Sequence, residues 1–153
     1  MSHIRRARWG DHQFANWYRE VTIGKMRSQL RNHADGKIQW WIIEEADKPI
    51  GWAKLHLDSH ETPKKPGLAV IEDLWVIRRK RSRGFGTRLL LDCERRAKAA
   101  GLTGIWLSVD PNHNQAARRL YERLGYVHDG GELYLDGVYG DFEEWVIDLV
   151  KPL

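Results

Sequence analysis

Val76-Ile77-Arg78-Arg79-Lys80-Arg81-Ser82-Arg83-Gly84-Phe85-Gly86-Thr87 is the stretch on which the reading of this chain turns. Before it, Leu68 to Val76 has strand composition; after it, Leu89, Leu90, Cys93 and Ala97 mark one helical face that ends at Gly101. A strand, a basic glycine-bearing loop and a helix together hold phosphate, because exposed amides and the positive end of the helix dipole converge on one spot. Gly84 and Gly86 let a ligand approach the backbone, while Arg81 and Arg83 add charge. The spacing lacks the Gly-Lys-Ser/Thr ending of a P-loop and the third glycine of the dinucleotide fingerprint, which disfavours nucleotide hydrolysis and hydride transfer. Taken alone, the loop reads equally well as a tight turn.

Outward from this loop the chain alternates strand and helix patterns. The segment around Ile4 reads as a short first strand, and Phe14, Trp17, Tyr18 and Val21 recur at helical spacing within one or two helices over Asp11 to Asn32. Gln39 to Ile43 and Ile50 to Leu57 read as strands joined by a hairpin at Ala46-Asp47-Lys48-Pro49, and Trp40 and Trp41 must face opposite ways. Asp58 to Gly67 has the composition of a long loop. Ile105 to Val109 reads as a buried strand, and Asn114 to Leu124 as an amphipathic helix with Ala117, Leu120, Tyr121 and Leu124 on one side and Gly125 closing it. Strands near Glu132 to Leu135 and Glu144 to Val150 flank an Asp136-Gly137 turn signal, completing a mixed α/β order.

Bulk properties narrow the function classes. A length of 153 residues fits one domain, 1–153. No apolar run approaches the roughly 20 residues of a membrane span, so no membrane partner is expected. The start, MSHIRRARWGDHQ, lacks the apolar core of a secretory signal. The single cysteine, Cys93, has no partner in the chain and falls on an apolar helix face, which points to a structural thiol in a reducing, cytoplasmic setting. The seven histidines are scattered without a helical i, i+4 pair or cysteine partners, so no metal is expected. The net charge of +4 conceals an asymmetry: bases dominate from Arg78 to Arg123, acids from Asp129 to Asp148. A nucleic-acid module is disfavoured, since few aromatics and no recognition-helix pattern accompany Arg78, Arg79, Lys80, Arg81 and Arg83.

Arg81-x-x-Gly84-x-Gly86 resembles the R/Q-x-x-G-x-G/A acetyl-CoA motif of the GNAT N-acetyltransferase superfamily, and Ile71 to Val76 looks like the strand that leads into it. Downstream, Asn114-Gln115-Ala116-Ala117-Arg118-Arg119-Leu120-Tyr121-Glu122-Arg123-Leu124-Gly125-Tyr126 is similar to the family's N-x-x-A-x-x-L-Y-E-x-x-G-F/Y segment. The resemblance is clear from Leu68 to Val127. Ser82 stands where many members have glycine, and Arg78 where many have proline.

The resemblance implies an α/β fold of the GNAT type: a mostly antiparallel mixed sheet of roughly six to seven strands, about four helices, and central strands splayed by a bulge around acetyl-CoA. It implies that Leu74, Trp75 and Val76 lie along the pantetheine arm, and that the Val76 amide stabilises the oxyanion. Ser82, Arg83, Gly84, Phe85, Gly86 and Thr87, after Arg81, would cradle the pyrophosphate. Asn114, Gln115, Ala116 and Ala117 would approach the pantetheine or adenosine, with a helix cap as an equal reading of Asn114. Tyr121 is the implied acid for the departing thiolate of coenzyme A, the product; a core tyrosine is the alternative. Glu72 is the implied base, expected on the same strand face as Leu74 and Val76, with a rim ion pair as the alternative.

The implied reaction is direct attack of a primary amine on acetyl-CoA in a ternary complex. The acidic run Asp136, Asp141, Glu143 and Glu144, with Tyr134, Tyr139 and Trp145, suits a small cationic acceptor, although a solvated face explains it too. A protein or peptide acetyltransferase acting on an N-terminal or lysine amine is the rival reading. A non-catalytic coenzyme A-binding module is a third, and a homodimer is compatible with each.

Overall fold

The computed structural model describes residues 1–8, 10–11, 38–57 and 65–153. They form strands β1 (Ser2–Arg6), β2 (Ile38–Glu45), β3 (Lys48–His56), β4 (Leu68–Val76), β5 (Gly104–Val109), β6 (Val127–His128), β7 (Tyr134–Tyr139) and β8 (Phe142–Pro152), with helices α1 (Phe85–Ala99) and α2 (Gln115–Arg123). The sheet order is β1-β2-β3-β4-β5-β8-β6, and β7 pairs with β8. Every pairing is antiparallel except β4 with β5. The helices expected before β2 lie at residues outside those described, as does most of the Asp58 to Gly67 loop.

Alternation along the strands decides what is buried where. Trp41, Ile43, Ala53, Leu55, Ala69 and Ile71 enter the main core, against which α1 lays Leu89, Leu90, Cys93 and Ala97. Trp40 faces the other way and meets Trp52 edge to face, with centroids 5.6 Å apart. Gly101, at φ 85°, ends α1 in the left-handed conformation expected of it. Burial pushes the Cys93 thiol up to about 12, so it is a structural, unreactive group.

Two turns differ from the sequence reading. The β2–β3 turn is tighter, with Ala46 and Asp47 both at positive φ and Lys48 already opening β3. The β7–β8 turn is not at Asp136-Gly137 but at Gly140-Asp141, where Gly140 takes a φ of 64°. Val138 and Tyr139, good strand formers, carry β7 past the turn signal, and Asp136-Gly137 becomes a bulge in the register between Leu135 and Gly137. β6 is also new; its two residues are too few to show periodicity, and it brings the described strands to eight rather than the expected six to seven. No helix among the described residues is long and apolar enough to cross a membrane.

The centre of the sheet opens. β4 pairs with β5 only from Leu68 to Val70, against Gly104 to Trp106, and beyond that the strands diverge. On its other side β4 carries a bulge against β3: Trp52 pairs with Trp75 but Lys54 pairs with Glu72, so one extra residue of β4 is accommodated. Asp73 takes up the distortion with a φ of 50°. Past the bulge the strands approach closely at Gly51, where a Cβ would sit 2.5 Å from the Trp75 carbonyl oxygen.

Candidate active site

The divergence of β4 from β5 produces a cleft of about 670 Å³, lined by Glu72, Asp73 and Leu74 from β4, Trp106 and Ser108 from β5, and Asp110 just after it. Asn114 and Tyr121 of the α2 segment complete one side, and Tyr134, Asp136, Phe142 and Glu144 of the β7–β8 hairpin form another. The two regions matched on sequence, β4 and α2, therefore meet in one place.

The backbone of β4 is available along this opening. The Ile77 amide donates to the Ile50 carbonyl at 2.8 Å, which makes Val76 and Gly51 a non-hydrogen-bonded pair. The amide and carbonyl of Val76 consequently point away from β3, toward the open edge. The Val76 carbonyl accepts a 2.8 Å hydrogen bond from Arg81 Nε, so the Arg81 guanidinium fastens the loop to the strand end as well as adding charge. Leu74 faces the cleft, the Val76 side chain is buried in the core, and Trp75 turns to the other face, its ring 5.2 Å from that of Trp52.

The glycine loop begins α1. Gly84 is the N-cap, at φ 84°, and the first turn contains no acidic residue. The early amides of the helix, at Phe85, Gly86 and Thr87, lack intrahelical acceptors and sit at the positive end of the dipole. The Phe85 side chain is buried in the core, so only its backbone is available to a ligand, whereas Arg81, Ser82 and Arg83 are exposed. Ser82 has a φ of 62°, which explains why glycine suits that position. This donor set fits a pyrophosphate: free amides, exposed cations and a first helical turn without a carboxylate. At α2, Asn114 caps the helix by accepting from the Ala117 amide at 3.4 Å and also lines the cleft, so both of its expected roles are compatible. Gln115 and Ala116 are exposed beside it, and Ala117 is half-buried.

Glu72 requires a correction. The bulge reverses parity, so Glu72 does not share a face with Leu74 and Val76; it faces with Lys54 and His56 of β3, and Asp73 turns to the same side. Its Oε2 lies 3.0 Å from His56 Nε2, while Lys54 Nζ donates to Asp73 Oδ2 at 2.9 Å. The contact with His56 holds the Glu72 carboxyl below the usual range, against an opposing effect of burial, and Lys54 adds to it. Tyr121 is a buried core residue, as one of its two readings expected, and it also lines the cleft; burial pushes its phenol up to about 12.

Several residues escaped the sequence reading because no local motif marks them. Lys54 and His56 are inward polar residues of an otherwise apolar strand, a signal visible only once the register is known. Burial opposes ionisation of Asp110, but hydrogen bonds from the Asn112 and His113 amides, at 2.9 and 3.0 Å, and the His113 ring outweigh it and hold the carboxyl low. Tyr134 donates to Asp148 at 2.5 Å and Ser108 donates to the same oxygen at 3.0 Å, fixing the β7–β8 hairpin against β5. Of the acidic run, Asp136 and Glu144 face the cleft, whereas Glu143 accepts from the exposed Trp145 indole at 3.0 Å.

Comparison with known proteins agrees with this geometry. Over 124 residues the chain is 29% identical to the uncharacterized N-acetyltransferase YhfO of Bacillus subtilis (strain 168), covering 78% of this chain and 80% of that one. An N-acetyltransferase from Staphylococcus aureus Mu50 shares the fold, with a TM-score of 0.82 at 17% identity over 99% of this chain and 98% of the other. So does yncA from Salmonella typhimurium, solved with its cofactor acetyl-CoA, at a TM-score of 0.78 and 15% identity over 99% and 93%. Residues 3–126, which contain the open strand, the glycine loop and α2, match the model of the acetyltransferase (GNAT) family, and the chain belongs to that family.

Proposed function

We propose that this acetyltransferase moves the acetyl group of acetyl-CoA onto the primary amine of a small cationic acceptor, by direct attack in a ternary complex. Family membership supplies the class of reaction and the cosubstrate; the acceptor and the residue roles are the proposal. The observation that carries it is the convergence of Glu72, Asp73, Asp110, Asp136 and Glu144 on one cleft of about 670 Å³, a volume suited to a small molecule. Such a field attracts an ammonium group and repels an anionic acceptor.

In this reading the amides at the start of α1, with Arg83 nearby, hold the pyrophosphate, and the open edge of Leu74 to Val76 pairs with the pantetheine. The Val76 amide, directed at that edge, is placed to stabilise an oxyanion. Glu72, ionised beside His56, receives the ammonium; its low pKa makes it a better partner for the cation than a keeper of its proton. Tyr121 stays protonated across the working pH range and donates to the departing sulfur, which itself needs little help because a thiol ionises near ~8.5. Tyr121→Phe is expected to lower turnover about ten- to a hundredfold while coenzyme A binding is unchanged, as read by steady-state rates and calorimetric titration. An unchanged rate would remove Tyr121 from the mechanism.

The chain acts as one catalytic domain, and its single buried cysteine suits the cytoplasm. Exposed Leu135, Val138 and Tyr139 on β7 would suit a second copy in a homodimer. Thiol release from acetyl-CoA, followed with putrescine, tyramine, glucosamine and an alanine-initiated peptide, tests the acceptor class. Faster turnover of the small amines is expected; turnover of the peptide alone would reverse the assignment.

A further inference from the structure

The five cleft carboxylates are not equivalent. Three have cationic neighbours: Glu72 has His56, Asp73 has Lys54, and Asp110 has His113 together with two amides. Asp136 and Glu144 have no cationic partner among the described residues. They are brought together by the β7 bulge, which sets Gly137 opposite Glu144 and leaves Asp136 beside it, within hydrogen-bonding reach of the Glu144 carboxyl. Asp136 and Glu144 both line the cleft, so the pair faces the space an acceptor would enter.

We propose that Glu144, paired with Asp136 on the β8 wall of the cleft, takes the proton that the acceptor ammonium must lose before attack. This rests on the acetyl-transfer reading above and divides its acid-base work. Glu72 attracts and orients the ammonium, whereas Glu144 accepts the proton. Burial raises the Glu144 pKa, and Asp136, Asp110 and Asp73 raise it further, which moves it toward the range a neutral-pH base needs. The step balances. The N–H bond of R–NH₃⁺ breaks, its electron pair stays on nitrogen, and Glu144 holds the proton. The nitrogen pair then forms the C–N bond as the C–S bond breaks, Tyr121 protonates the coenzyme A sulfur, and the second proton lost by nitrogen restores the Tyr121 phenol. Glu144 returns its proton to solvent after the product leaves. Asp136 on β7, Asp110 after β5 and Asp73 on β4 act on Glu144 with one sign, while the cleft's His113 and the nearby Lys54 are engaged by Asp110 and Asp73.

The test is the pH profile of kcat/KM for the fastest amine of the panel, measured on wild type, Glu144→Gln and Asp136→Asn. Glu144→Gln is expected to lose about a hundredfold at neutral pH, and to approach wild type as pH rises toward ~10, where the amine is already free. Asp136→Asn removes a neighbouring negative charge, so its lower inflection moves to lower pH while activity persists. Coenzyme A affinity should be the same in all three. A loss for Glu144→Gln that is equal at every pH, or no loss, overturns this role and leaves acetyl transfer standing. Wild-type protein that releases no thiol with any amine overturns both.

Discussion

Gly86→Asp is expected to abolish useful coenzyme A binding without destabilising the fold. A Cβ at Gly86 would meet only Leu120 Cδ2, at an ordinary 3.7 Å, so the backbone position accepts a side chain without a clash at its first atom. The position lies in the first turn of α1, which has no acidic residue, and a carboxylate there interacts favourably with the dipole by about 0.3 to 1 kcal/mol. Replacing a helical glycine adds on the order of 0.5 kcal/mol in the same direction. The same carboxylate would occupy the spot where a pyrophosphate must sit, competing for its amides and repelling its charge. At least a hundredfold loss of affinity is expected, about 2.8 kcal/mol. Calorimetric titration and thermal unfolding of one sample check both halves. Gly86→Ala, which adds bulk without charge, should fall between. Wild-type affinity in Gly86→Asp would place the anion site elsewhere.

Leu89→Ala should show the opposite division. Leu89 is fully buried where α1 meets the sheet, and truncation there costs about 2 to 5 kcal/mol in lost burial and residual cavity. Against a typical stability of about 5 to 15 kcal/mol, that is a large fraction, readable as a lower urea midpoint with an unchanged slope. Leu89 touches neither the glycine loop's free amides nor the cleft, so the folded variant should bind coenzyme A as wild type does. Together the two variants separate the helix's inner face, which holds the fold, from its first turn, which is proposed to hold the ligand.

The parts legible in the sequence are those governed by local rules. α1 announces itself through Leu89, Leu90, Cys93 and Ala97 and stops at Gly101 because a left-handed residue is needed there. The loop at Arg81 to Gly86 is legible because its glycine spacing is accompanied, in order, by the strand before it and the Asn114 to Tyr126 segment after it. What the sequence concealed is non-local. The face on which Glu72 sits depends on a single extra residue at Asp73, and one residue of register inverts every later side chain. The same holds for Asp136: its Asp-Gly dipeptide has the composition of a turn, yet strand-forming neighbours and Gly140 move the turn four residues on, and the dipeptide becomes the bulge that meets Glu144. His56 and Lys54 became interpretable only when β3 was seen beside that bulge. The end of the cleft proposed for the acceptor is thus built largely from two irregularities, and irregularities have no period to read.

Direct attack in a ternary complex is the central claim, and the chain's chemistry argues for it. The one cysteine is buried, with its thiol pushed up to about 12, so it is a poor candidate to carry an acetyl group between two half-reactions. Initial rates of thiol release, measured while acetyl-CoA and the amine are both varied, decide the matter. Double-reciprocal lines that intersect are the expected result; parallel lines, with an acetylated protein recovered when the amine is withheld, would contradict it.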